Sequence, residues 1–354
     1  MYLSVVCNLN RMIEKVANNK YNTEKLNLNP PEKVKEKLDY YRSLLGKTND
    51  FSDSEFEALK VDIKTFFNLK STRLIKKLPE RLVRVSNNNR ILKGQKKELS
   101  YLTEISELLA PPVKFCGWNR CSLPKQQVLY CATNEATAYW EIKPQKGDVI
   151  TISHYKLKKG AEANCSQIFK SKESKPDKSH PLKEVFYMLD DFFIDVYSFP
   201  VARERPKDYI FSALLSAEQL FYPIPSENNI EAIIYPSVQK KKFGHNLAIR
   251  NDIIFNKYEL IGVETRFILD NYEDLDPSTD KLTTDNVIAS FGTEAFDFKE
   301  GKILYDEKVN EIFPFLRKLQ TLPTGQTRFS NDNMVFNLTK GKSTVKSYID
   351  KGKK

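Results

Sequence analysis

Asn119-Arg120-Cys121-Ser122-Leu123-Pro124-Lys125-Gln126-Gln127-Val128-Leu129-Tyr130-Cys131-Ala132-Thr133-Asn134-Glu135-Ala136-Thr137-Ala138-Tyr139-Trp140-Glu141-Ile142 changes character twice within one short stretch. Val128 to Ala132 is an apolar, partly β-branched run that reads as a strand, and Glu135 to Ile142 reads as a helix. Polar residues are set into these apolar elements: Arg120 precedes the strand, Tyr130 lies in it, and Glu141 follows on the helix between Trp140 and Ile142. Each alone has an ordinary reading. A single arginine before a strand is a solvated surface group, a strand tyrosine is core with its hydroxyl at the rim, and Glu141 is a helix-surface charge beside Lys143.

Outward from this stretch, strands and helices continue to mix. Asp148 to Leu157 alternates as a strand, Lys158 to Lys183 is a polar, Lys- and Ser-rich excursion, and Asp208 to Phe221 is an amphipathic helix. Ala232 to Tyr235, Asn246 to Ile249 and Tyr258 to Ile268 read as further strands. The order shows no regular strand-helix-strand repeat, so the expected class is α+β rather than a doubly wound parallel sheet. Before residue 79 the chain reads as helical. Pro30-Pro31 opens a segment with Val34, Leu38, Tyr41 and Leu45 at helical spacing, and Gly46 ends it. Ser52 and Glu55 then form a capping-box pattern ahead of the stripe Phe56, Leu59, Ile63, Phe66 and Phe67. These stripes are expected to be core or a docking and oligomerisation surface. The organisation expected is an N-terminal helical region at 1–78, a catalytic domain at 79–270 and a C-terminal extension at 271–354. The extension has an acidic stretch at Glu273 to Asp280, an apolar patch at Ile312 to Leu316, and a basic tail from Lys340 whose last dozen residues are expected to be frayed.

The 354 residues carry 56 Lys+Arg against 46 Asp+Glu, a net charge of +10 that raises an anionic partner from the start. The basic excess lies mainly in the first 110 residues, away from the stretch quoted above, and no aromatic-basic pattern of an RNA-binding sheet is present. A nucleic-acid partner is therefore disfavoured. No run approaches the ~18 apolar residues of a membrane span, and the N-terminus lacks the features of a signal peptide, so no membrane partner and a cytoplasmic location are expected. Five cysteines without a CxxC pair, and only three histidines, suggest reduced thiols and no metal. The P-loop, the dinucleotide-binding GxGxxG, the GxSxG elbow and the HExxH helix are all absent.

Taken together, Arg120, Tyr130, Thr137-Ala138 and Glu141 resemble the signature of the RES domain family, named for its Arg, Glu and Ser. The resemblance extends through Leu82-Val83-Arg84-Val85 upstream, and downstream through Asp148 to Ile152, Tyr209 to Glu218, Ile233-Ile234-Tyr235-Pro236-Ser237 and Gly244-His245-Asn246. It covers about half the chain, roughly Leu82 to Ile268, in the family's order. Three positions depart from it. Asn119 stands where the family often has Gly, Ser122 where it has Asn, and Val238 to Phe243, with Lys240 at its centre, replaces a Gly-rich stretch.

The resemblance implies an ADP-ribosyltransferase-like core of mixed and antiparallel sheet carrying the N-terminal helical extension. It also implies an enzyme that degrades NAD at the nicotinamide-ribose bond by phosphorolysis or hydrolysis. Several family members act as toxins, so an Xre-type antitoxin is an implied partner; self-association as a homo-oligomer is expected from the N-terminal helices instead. NAD is then substrate, inorganic phosphate a co-substrate in the phosphorolytic case, and no further cofactor is required. The residue types suit this chemistry. Breaking the glycosidic bond builds positive charge on the ribose, which a carboxylate stabilises; that role falls to Glu141, expected to be partly desolvated between its apolar neighbours. Arg120 and Arg84 are the candidates for the pyrophosphate or the phosphate acceptor. Tyr130 would contact the nicotinamide half, Ser237 would position the ribose or amide, Ser122 would assist binding, and Asn246 would tie a loop to its strand. Two alternatives remain: an ADP-ribosyltransferase that modifies a macromolecule, and a non-enzymatic basic protein that binds nucleic acid. The position two before Glu141 is Tyr139, without the extra acid or amide usual in the transferases, which favours turnover of free NAD.

Overall fold

The computed structural model describes residues 30–67, 73–75, 78–92, 101–168, 183–221, 230–238, 244–268, 287–320, 327–331, 334–339 and 342–347. Lys240, the Glu273–Asp280 stretch and most of the Lys- and Ser-rich excursion lie outside these residues. In chain order the elements are α1 (Pro31–Leu44), α2 (Asp53–Phe66), β1 (Arg73–Ile75), β2 (Arg81–Asn87), β3 (Val128–Ala132), α3 (Glu135–Ile142), β4 (Val149–Leu157), β5 (Cys165–Gln167), α4 (Lys183–Ser198), α5 (Ile210–Leu220), β6 (Ala232–Pro236), β7 (His245–Arg250), β8 (Tyr258–Ile268), β9 (Val287–Thr293), β10 (Phe296–Asp297), β11 (Lys302–Ile303), α6 (Lys308–Gln320), β12 (Thr327–Asn331), β13 (Met334–Thr339) and β14 (Lys342–Ser347). Helices and mostly antiparallel strands are mixed, which is an α+β fold. No described helix is long and apolar enough to cross a membrane.

The chain divides into two compact units, each assembled from three separate stretches. The first takes Met1–Glu80, Ala110–Thr133 and Leu157–Tyr258; the second takes Arg81–Leu109, Asn134–Lys156 and Glu259–Lys354. The sequence segmentation at residues 78 and 270 follows the chain, whereas the units interleave it.

In the first unit the strand order is β1-β5-β6-β7-β3, with β5 and β6 parallel and the other pairs antiparallel. Directly paired residues share a sheet face, so the registers Tyr130↔Ala248↔Ile233 and Ala132↔Asn246↔Tyr235 define one face. Ile233, Tyr235 and Ala248 from this face join a single apolar core with Phe192 and Tyr197 of α4 and Phe211 and Leu214 of α5. Val34, Leu38 and Tyr41 of α1 and Phe56, Leu59 and Ile63 of α2 belong to the same core. Tyr41 sits 5.3 Å from the ring of Phe211 and 6.1 Å from that of Phe192, and its hydroxyl donates to Asp62 at 3.0 Å. Burying such side chains stabilises by about 1.5–3 kcal/mol each. The stripes of α1 and α2 are thus core, the first of the two readings that their spacing allows.

Local chemistry sets the ends of these two helices. Pro31 occupies the first turn of α1, where its missing N–H has no partner to lose. Gly46 follows at φ +76°, and a Cβ there would come within 2.9 Å of the Phe199 ring, so both the conformation and the close approach require glycine. Ser52 Oγ accepts from the Glu55 amide at 3.3 Å while the Glu55 carboxylate accepts from the Ser52 amide at 2.9 Å, completing the expected capping box.

In the second unit the order is β2-β4-β8-β9, and the registers of β2 with β4 and of β8 with β9 are antiparallel. α3 packs on β2. Arg266 pairs with Glu135 at the first position of α3 and with Glu264 at 2.7 Å, tying that helix to β8. An aromatic cluster of Tyr101, Phe267, Phe291, Tyr305 and Phe313 joins β8, β9 and α6. Two readings of the sequence are corrected. Cys165–Gln167, inside the polar excursion, is a strand paired to β6 in the first unit, and Lys342–Ser347, read as frayed tail, pairs with β13 as the outer strand of a three-stranded sheet. In each case the pairing partner, invisible to a local pattern, supplies the order.

Candidate functional site

The first unit holds Arg120, Ser122, Tyr130, Ser237 and Asn246; the second holds Arg84 and Glu141. Within the first unit, Asn119 and Ser122 exchange backbone hydrogen bonds at 3.0 and 3.3 Å and close a tight turn with Arg120 and Cys121 at its tip. Tyr130 reaches this turn from β3. Its hydroxyl accepts from the Cys121 amide at 3.0 Å and lies 3.2 Å from Ser122 Oγ. Burial, reinforced by the nearby Cys121 thiol, pushes the Tyr130 phenol well above its ordinary value, against the pull of Ser122 and the Cys121 amide. Tyr130 is therefore a neutral hydrogen-bonding group that holds the loop. Burial also pushes the Cys121 thiol up to about 12, which leaves it unreactive.

Arg120 turns its guanidinium onto the C-terminal end of α4. One terminal nitrogen donates to the Tyr197 carbonyl at 2.7 Å and reaches that of Val196 at 3.5 Å, and the other donates to Phe199 at 3.0 Å. The Val196 and Tyr197 carbonyls lie in the last turn of α4, where a helix leaves them without intrahelical partners, and Phe199 follows that turn. The guanidinium also lies 5.2 Å from the centroid of the Tyr209 ring. Two of the Arg120 nitrogens thus already engage protein carbonyls. A cation near a helix C-terminus is favourable, and these part-buried carbonyls gain a charged donor.

Ser237 is fully buried one step past β6, and its amide donates to Gly244 at 3.1 Å, extending the β6-β7 ladder beyond the Pro236↔His245 pair. Asn246 is buried between Tyr235 and Ala132 in register, and the Thr133 amide donates to the His245 carbonyl at 3.0 Å. The ends of β6, β7 and β3 thus bring Ser237, Asn246 and the strand of Tyr130 side by side, although the chain separates them widely. Burial lowers His245 from its ordinary value, so the imidazole is neutral at pH 7.

In the second unit, Arg84 of β2 donates to the Leu108 carbonyl at 2.7 Å, and the Tyr155 hydroxyl donates to the same oxygen at 3.1 Å. This arginine anchors the 105–108 turn. Glu141 lies in the last turn of α3, before Lys143 takes the left-handed conformation that ends the helix. The side chains of Thr137, Ala138, Tyr139 and Trp140 are buried, and Glu141 is exposed. The expectation of a desolvated Glu141 is corrected. Neighbours in a helical sequence point about 100° apart, so flanking apolar residues do not enclose the residue between them.

Two residues around Arg120 escaped the sequence reading. Tyr197 packs its ring 6.0 Å from Tyr235 and brings its hydroxyl within 2.6 Å of Ser216 Oγ; nothing in the local pattern around α4 marks it. Tyr209 was visible only as the start of a family-like helix. No group of three or more potential metal ligands occurs among the described residues. Comparison with protein-family models, curated proteins and solved structures found no match.

Proposed function

We propose that the chain is an NAD-degrading enzyme of RES type, with an ADP-ribosyltransferase-like core, that cleaves the nicotinamide-ribose bond by phosphorolysis or hydrolysis. The observation that carries the reading is that Ser237, one step past β6, comes beside Asn246 on β7 and the strand β3 that carries Tyr130, with the Arg120 turn held by the Tyr130 hydroxyl. These are the residues through which the sequence resembles that family, and the sheet gathers those of the first unit from distant parts of the chain.

For Glu141, of the second unit, the resemblance alone implies the role of the carboxylate that stabilises an oxocarbenium-like ribose and orients the incoming water or phosphate. Its exposed position leaves it accessible to a ligand. The donors of Arg120 beyond those bonded to α4 contact the pyrophosphate, and the capped helix end holds the fork in one orientation. Ser237 positions the ribose or the amide through hydrogen bonds. A toxin role with an Xre-type antitoxin follows from the same resemblance. Incubating the purified chain with NAD, with and without inorganic phosphate, tests the function: nicotinamide appears together with ADP-ribose in the hydrolytic case, or with a phosphorylated ADP-ribose in the phosphorolytic one. Label from NAD on protein or nucleic acid would instead favour a transferase.

A further inference from the structure

The connection between α1 and α2 holds a second polar network within the first unit. Asp208, with its side chain only 3% exposed, accepts from the Asn49 amide at 2.8 Å and from Arg205 Nε at 2.8 Å. Thr48 Oγ1 lies 3.0 Å from both the Asp208 carboxylate and the Lys207 carbonyl, so one hydroxyl proton serves two acceptors. The Asn49 side chain accepts from the Lys207 amide at 3.2 Å, and Arg205 continues outward to the Gly46 carbonyl at 2.9 Å and to Asp50 at 2.6 Å. The next residue after Asp208 is Tyr209, whose ring lies beneath the Arg120 guanidinium. A second tie reaches the same loop from α2: Phe56 packs edge-on at 5.4 Å against Trp118, two residues before Arg120.

We infer that the 45–52 connection is a positioning device for the Arg120 turn, with Thr48 and Asp208 as positioning residues that fix the Arg205–Asp208 segment and, through it, the Tyr209 ring that supports the guanidinium. The network is more than helix-to-helix packing requires. A buried carboxylate with three donors on it is costly unless all are satisfied, and here every donor comes from the connection or from Arg205. The helical extension thereby becomes part of the site's scaffold. For its kinetic consequence this inference rests on the function proposed above; for its structural consequence it does not.

Thr48→Val keeps the shape and removes the shared proton, and Thr48→Ser restores it. The test is hydrogen exchange of the peptide spanning residues 116–123, read against the strands of the same unit. The expected result is a loss of protection of about fivefold or more in that peptide for Thr48→Val, with strands β6 and β7 within about twofold of wild type and Thr48→Ser near wild type throughout. In an enzyme that turns over NAD, Thr48→Val also raises KM about tenfold with kcat within about twofold. Protection lost evenly across the unit, or an unchanged KM in an active enzyme, would overturn the inference. The exchange comparison contains no nucleotide, so a wild-type protein that leaves NAD intact would defeat the proposed function and leave this result standing.

Discussion

The Arg120 guanidinium donates to the Tyr197 carbonyl at 2.7 Å and thereby caps α4. Removing it leaves the carbonyls of Val196, Tyr197 and Phe199 without this donor. Arg120→Ala is expected to lower stability by about 1–3 kcal/mol, measured as a lower urea midpoint at unchanged slope. An arginine acting on ligand alone would change stability by no more than about 0.5 kcal/mol when removed, as surface substitutions do. Arg120→Lys recovers only part of the loss, because an ammonium cannot span two carbonyls in the plane of a fork.

The helices before residue 67 complete the first unit's core. Ile63→Ala should destabilise by about 2–5 kcal/mol, the range for emptying a fully packed aliphatic site. A chain beginning at Lys77 lacks the side chains that cover Phe192 and Phe211 and is expected to be insoluble when expressed. Recovery of that truncated chain as a soluble, cooperatively folding protein would refute the placement of α1 and α2 in the core.

The acid limb of stability should depend on Glu264. Burial alone would raise its carboxyl, but hydrogen bonding and attraction to Arg266 outweigh it and hold the group below its ordinary value. A carboxylate depressed in the folded state stabilises fully above its unfolded value of about 4.3, and that contribution is lost as pH falls through the folded value. Glu264→Gln should therefore be less stable than wild type at pH 7, with the gap narrowing below about pH 4. Thermal unfolding of both proteins between pH 3 and 7 measures it, and a gap independent of pH would contradict the assignment.

Much of the fold could be read from the sequence where local pattern and burial agree. Val128–Ala132, Glu135–Ile142 and Tyr258–Ile268 fall where their periodicity places them, and the Ser52–Glu55 cap forms as expected. Strands β1 and β5 were not legible, because three-residue runs such as Cys165–Gln167 acquire their order only from a partner strand. Within the site, the residue types were legible but their present partners were not. Arg120 and Arg84 bond to carbonyls of Tyr197 and Leu108 that no motif could indicate, and the burial of Glu141 was misjudged by treating sequence neighbours as spatial ones. Thr48 and Asp208 lie 160 residues apart, and their pairing belongs to the tertiary fold alone.

The central claim is that Glu141 carries the chemistry of an NAD-cleaving site, and the most direct test is nicotinamide release by wild-type protein and by Glu141→Gln, each in buffer with and without inorganic phosphate. Because Glu141 is exposed on α3, the amide should leave stability within about 0.5 kcal/mol of wild type while reducing the rate by at least about a hundredfold. Wild-type protein that consumes no NAD in either buffer, or a Glu141→Gln protein that releases nicotinamide at the wild-type rate, would contradict it.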